Sequence, residues 1–121
     1  QCENVGISDF CGTASFGMRG GRNPGLEFGT EETQISTVDS ILKGDSVSFI
    51  KMDIEGQECQ AIKSAKNTIK KFAPKMLISC YHRTDDFLTI PKAVFDIKND
   101  YKIYMRHFAS VPAWDTNYYF I

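Results

Sequence analysis

Asp53, Glu55 and Gly56 fall in the run Lys51-Met52-Asp53-Ile54-Glu55-Gly56-Gln57-Glu58. The apolar stretch Val47-Ser48-Phe49-Ile50 leads into it. Behind it, Cys59, Ile62, Ala65, Ile69 and Phe72 recur at helical spacing. Two carboxylates and a glycine therefore stand where an apolar strand turns into a helix. In open α/β sheets, ligands bind at the carboxyl ends of the strands. A carboxylate at Asp53 can attract a cationic group, hold a metal or orient a hydroxyl, and Asp is also a favoured helix cap. Glu55 and Glu58 suit a helix's first turn on dipole grounds alone. Gly56 permits a close approach of backbone, ligand or a neighbouring strand.

His82 follows a second apolar run, Met76 to Tyr81, and so belongs to the same sheet edge as Asp53. An imidazole there can act as a general base, because it titrates near neutrality. The plainer role is a hydrogen-bonded structural histidine. Asp85 and Asp86 can orient His82 or cap the next helix, and capping is the simpler role. Ser8 and Asp9 follow a short first strand and have ordinary turn chemistry. His107 sits inside a strand pattern as a packed residue. Arg106 alternates with it and faces solvent, or reaches a carboxylate or phosphate. Trp114 lies in the last connection, where core packing outweighs a sugar-stacking role.

The elements that position these residues can be read from periodicity. Glu3 to Ile7 and Thr13 to Met18 read as two short strands around a turn. Residues 19–30 form a glycine-rich flexible loop that matches neither a dinucleotide fingerprint nor a phosphate-binding loop. Thr37 caps a short helix, Val38 to Leu42. Val47 to Ile54 reads as a central strand buried on both faces. One helix then runs from Cys59 to Phe72 and stops at Pro74. With Met76 to Tyr81 this makes a right-handed βαβ unit. Ile90, Val94 and Ile97 mark a further helix, with Pro91 near its first turn. Tyr101 to Phe108 and Thr116 to Ile121 are too closely spaced for a helical crossover, so they pair antiparallel. The fold class is α/β, with a mostly parallel sheet and an antiparallel C-terminal edge strand.

The chain has 121 residues and a net charge of -1, with 14 Lys and Arg against 15 Asp and Glu. That length fits one small domain. The charge balance argues against a nucleic-acid binder, which carries a basic footprint. No apolar run approaches the roughly 20 residues of a membrane span, and no signal peptide opens the chain. The four cysteines form no CxxC pair, so a zinc knuckle is not indicated. Cys59 and Cys80 read as buried thiols. A Cys2–Cys11 bridge across a hairpin is open, but a reducing cytoplasm is the expected compartment. The start at Gln1 without Met suggests a fragment or a processed product.

The residues carry a family resemblance. Gly6-Ile7-Ser8-Asp9 with Gly12-Thr13-Ala14, Ser36 to Leu42, and Ile50 to Glu58 occur in this order. They are followed by Ser64-Ala65, Pro74, Tyr81-His82 and Tyr101 to Phe108. The chain resembles the FkbM family of S-adenosylmethionine-dependent methyltransferases, and the Lys-x-Asp-x-Glu-Gly-x-Glu segment is the most specific piece. The resemblance implies a partial Rossmann-like class I methyltransferase sheet. It also implies methyl transfer from S-adenosylmethionine to an oxygen, less readily a nitrogen, of a small molecule or sugar. Asp53 and His82 would then be catalytic. Ser8, Asp9, Asp53, Glu55 and Gly56 would line the cofactor, with Asp9 near the adenine amino group. This chemistry requires no metal.

The family's glycine turn after the first strand is absent, so residues 1–121 correspond to the C-terminal portion of the domain. The isolated chain is accordingly expected to bind the cofactor weakly and to be inactive by itself. A bare sheet edge suggests a homodimer. The rival readings are a non-catalytic α/β binding module and a hydrolase using Asp53 and His82. The hydrolase lacks a Gly-x-Ser-x-Gly elbow.

Overall fold

Thr37 opens the first helix as its chemistry requires, with its hydroxyl oxygen accepting the Ser40 N–H. The computed structural model describes residues 2–18, 24–25, 31–109 and 115–121. In chain order its elements are β1 (Gly6–Ile7), β2 (Gly12–Met18), β3 (Pro24–Gly25), β4 (Glu31–Ser36) and α1 (Val38–Leu42). Then come β5 (Phe49–Met52), α2 (Glu58–Ser64), α3 (Lys66–Phe72), β6 (Lys75–Ser79), α4 (Asp86–Phe95), β7 (Ile103–His107) and β8 (Thr116–Phe120).

Among the described residues, the strands form two four-stranded sheets, not one. In the first, ordered β1-β4-β2-β3, β4 pairs parallel with β1 and antiparallel with β2. The expected hairpin of the first two strands is thus replaced by β4, which separates them. Of β4, Ile35 is the residue buried into the core, so its sequence shows no apolar alternation. Most of the 19–30 loop lies outside the described residues, as does Trp114. Within that loop, Pro24–Gly25 pairs with β2.

The second sheet has the order β5-β6-β8-β7. β5 and β6 are parallel, as the βαβ reading requires. β8 runs antiparallel to both β6 and β7. The reversed strand is therefore internal, and β7 is the edge. β5 is the other edge, so the expectation of a strand buried on both faces fails. Phe49 is 55% exposed, while Met52 is buried.

The expected single helix is two. Ala65 leaves helical geometry at φ -100°, ψ 14°, and α3 restarts at Lys66. The Asp39 carboxylate of α1 accepts the Asn67 and Thr68 N–H groups at 2.9 Å and the Thr68 hydroxyl at 2.7 Å. It satisfies donors that a helix start leaves open. The apolar stripe survives the break. Ile62, Ala65 and Ile69 are fully buried with Met76, Ile78, Ile90 and Phe120. Each buried Ile side chain contributes about 1.5–3 kcal/mol relative to exposure.

α4 starts earlier than expected, which puts Pro91 in its middle. Proline has no N–H to give the carbonyl four residues back. That carbonyl, Phe87 C=O, instead accepts the Tyr118 hydroxyl at 2.9 Å, tying α4 to β8.

All four cysteines are free. The Cys2–Cys11 bridge does not form. The Cys11 thiol instead donates to the Ser40 hydroxyl oxygen at 3.5 Å and lies 3.8 Å from Ser36 Oγ. That hydroxyl neighbourhood, Ser40 first, brings the exposed Cys11 thiol down to about 7. No helix among the described residues is long and apolar enough to cross a membrane.

Candidate active site

Asp53 is the first residue after β5, and His82 lies three residues past the end of the parallel β6. The parallel pairing brings both to one sheet edge, as the sequence indicates. His82 Nε2 lies 3.4 Å from Asp53 Oδ1 and 3.7 Å from Glu55 Oε2. On the other side of the ring, Nδ1 lies 3.0 Å from Glu58 Oε1. One imidazole is therefore ringed by three carboxylates from a single turn of chain.

These acids differ in burial. The Asp53 and Glu55 side chains are 40% and 41% exposed and form an open rim. Glu58 is 1% exposed and His82 8%. Glu58 Oε1 accepts the Ile54 N–H at 2.9 Å, which folds the turn back onto the start of α2. Asp53 does not cap α2. Its Oδ1 accepts the Tyr81 hydroxyl at 3.1 Å. Tyr81 packs against the His82 ring with centroids 4.2 Å apart. Burial first, then the Asp53 charge, pushes the Tyr81 phenol up to about 12, so it remains a donor.

The turn is held in an unusual backbone conformation. Glu55 has φ 55° and Gly56 φ 88°. Glycine takes such angles freely, but Glu does not. A Cβ on Gly56 would stand 2.9 Å from Arg83 Nε, so the close approach foreseen there is to an arginine side chain. The Arg83 N–H donates to Asp86 Oδ2 at 2.8 Å, so Asp86 closes the turn that opens α4. Asp86 is buried, which raises its carboxyl above the usual range, and the nearby Glu58 charge adds to this. Gly56 and Arg83 also border a groove of about 340 Å³ between α2 and α4, lined further by Lys63, Lys92 and Asp96.

Residues 5–109 match a family model described as the Methyltransferase FkbM domain. That span covers most of the chain. The chain belongs to the FkbM methyltransferase family. A crystal structure of methyltransferase FkbM from Methylobacillus flagellatus KT superposes with a TM-score of 0.80 at 31% identity. The match covers 98% of this chain and 28% of that one, so this FkbM chain spans little more than a quarter of that protein. No curated protein matches it.

Within the FkbM chain, the other two expected cofactor residues stand apart. Ser8 and Asp9 follow β1, in the first sheet. Ser8 is buried, and its N–H donates to Ser36 C=O at 3.1 Å. Its hydroxyl donates to Asp9 Oδ1 at 3.5 Å. Among the described residues, no hydrogen bond or ion pair joins them to Asp53, Glu55 or His82. His107 is exposed rather than packed, with Nδ1 2.9 Å from Thr116 Oγ1. The exposed Arg106 guanidinium lies 4.9 Å from the Phe108 ring centroid. The site also contains two groups that sequence reasoning set aside. In the sequence, Glu58 has the place of a helix-start acid and Tyr81 that of the last residue of a strand.

Proposed function

We propose that this chain supplies the acceptor side of an S-adenosylmethionine-dependent methyl transfer to an oxygen of a small molecule or sugar. The observation that carries the reading is the Asp53–His82 pair at the carboxyl ends of two parallel strands, with Nε2 facing an open acidic rim. Family membership supports methyl transfer as the reaction class.

The residues present fit one end of the cofactor. The exposed Asp53 and Glu55 carboxylates can attract its positively charged sulfonium and amino groups. Gly56 keeps the turn low beside them. Asp9, exposed at the end of β1, is the residue for the adenine amino group. When bound, the cofactor supplies an electrophilic methyl group. This chain's part is to position the acceptor hydroxyl and take its proton. The Asp53–His82 pair draws that proton off, with Tyr81 fixing the carboxylate. Positioned proton transfer of this kind contributes roughly 10²- to 10⁴-fold in rate. We place the protein in the reducing cytoplasm, which suits four unpaired thiols.

Asp53→Ala in the active protein should abolish methyl transfer, and His82→Gln should slow it by roughly 10²- to 10⁴-fold. Both are measured by transfer of labelled methyl to acceptor. Full turnover in Asp53→Ala would remove that residue from the chemistry.

A further inference from the structure

Glu58 and His82 meet in a way that a hydrogen bond does not explain. Nδ1 and Glu58 Oε1 are 3.0 Å apart, yet the ring nitrogen has no aligned hydrogen-bond partner. Glu58 Oε2 is likewise buried and unpaired. Two such groups, both more than nine-tenths buried, are costly when left unsatisfied. Two ligands at right angles around a cation, each about 2.1 Å from it, stand roughly 3.0 Å apart. The spacing and the off-axis approach suit two donors aimed at a third point. Asp53 completes the set: one ligand atom from each of Asp53, Glu58 and His82 lies within 4.8 Å of the others.

We propose that Glu58, His82 through Nδ1, and Asp53 bind one divalent cation. Two carboxylate oxygens and one imidazole nitrogen at right angles suit Mn²⁺ or Fe²⁺. The charge balance agrees. Asp53, Glu55, Glu58 and Asp86 surround a single imidazole, and the nearby Arg83 side chain lies over Gly56. The outward Nε2 stands 3.7 Å from Glu55 Oε2. An acceptor hydroxyl would reach such a cation from the side of the exposed Asp53 carboxylate. The proposal replaces the base role of His82 in the methyl-transfer reading with a ligand role, and only the entry of an acceptor hydroxyl rests on that reading. With Nδ1 given to the cation, His82 is a ligand, and the proton-accepting role belongs to the metal-free site.

The test titrates the metal-stripped chain with Mn²⁺ alone, followed by electron paramagnetic resonance. One bound Mn²⁺ per chain is expected, and the bound ion should show coupling to an imidazole nitrogen. His82→Gln and Glu58→Gln should each weaken binding at least tenfold, while Asp96→Asn, on α4's far end, should leave it unchanged. Absence of binding at millimolar Mn²⁺, or bound Mn²⁺ without nitrogen coupling, overturns the proposal. The nitrogen signal is read on the unmutated chain, so a variant that misfolds does not decide the matter. Binding in a protein that transfers no methyl group would sink the functional reading and leave the cation site standing.

Discussion

Asp86 shows how one side chain serves both stability and the site. Its carboxylate closes the α4 turn through the Arg83 N–H, yet burial and the neighbouring Glu58 and Asp85 charges oppose its ionisation. The proton is therefore held more tightly in the folded than in the unfolded chain, whose ordinary value is 3.8. A raised acid contributes stability below the unfolded value and loses it as pH climbs toward the folded value. Stability should fall as pH rises from 3.8 through the range in which folded Asp86 ionises. Asp86→Asn keeps an acceptor for Arg83 and should lack that decline. Asp86→Ala should lie about 1 kcal/mol below Asp86→Asn at every pH with the turn closure lost. Urea unfolding across pH measures all three, and parallel profiles for wild type and Asp86→Asn would refute the assignment. Residue types alone pointed to Asp53 and His82, because apolar runs mark the ends of strands. They hid Glu58, since an acid in a helix's first turn needs no other reason. Only the parallel pairing of β5 with β6 brings His82 against it.

At the scale of elements, Pro91 and Tyr118 form one device. Proline leaves the Phe87 carbonyl without its helical donor, and the β8 tyrosine replaces it. Tyr118→Phe should strand a carbonyl and cost about 1–3 kcal/mol. Pro91→Ala restores an N–H four residues on, so the double variant should recover much of that loss. A thermodynamic cycle by denaturant unfolding reads the coupling, and strictly additive effects would show that Tyr118 does not stand in for the missing donor. The same example shows why helix identity was legible and boundaries were not. Ile90 and Val94 set the phase of α4, but its start depends on Asp86 reaching Arg83. The α2–α3 break was invisible for a related reason. Ala65 keeps the stripe in phase, and the cap that permits the break comes from Asp39, 26 residues earlier. β4 escaped notice because Glu31-Glu32-Thr33-Gln34-Ile35-Ser36 offers one buried apolar side chain.

At the scale of the whole molecule, the two sheets leave β5 paired on one side only among the described residues. An unpaired strand presents a row of free N–H and C=O groups. Natural edges are blunted by charge, by proline or by a covering segment. β5 has Lys51 as its one charge, and Phe49 stands 55% exposed beside it. The opposite edge, β7, is also open but carries Arg106 and His107 next to the exposed Tyr104 and Met105. Each edge joins exposed apolar side chains to one formal charge, and β5, where Phe49 stands two residues from Lys51, is the one expected to recruit a partner. We propose that a second copy of the chain covers it, edge to edge, around a two-fold axis that brings the two Phe49 rings together. A small edge contact buries too little area for tight association, so light scattering on the isolated chain should give twice the monomer mass only at high concentration, about 100 µM. Phe49→Lys adds a charge to each side of that axis and should return the monomer without lowering stability, since the ring is already half in water. A dimer that persists in Phe49→Lys would move the contact to the β7 edge. A strict monomer in the unmutated chain would overturn the dimer.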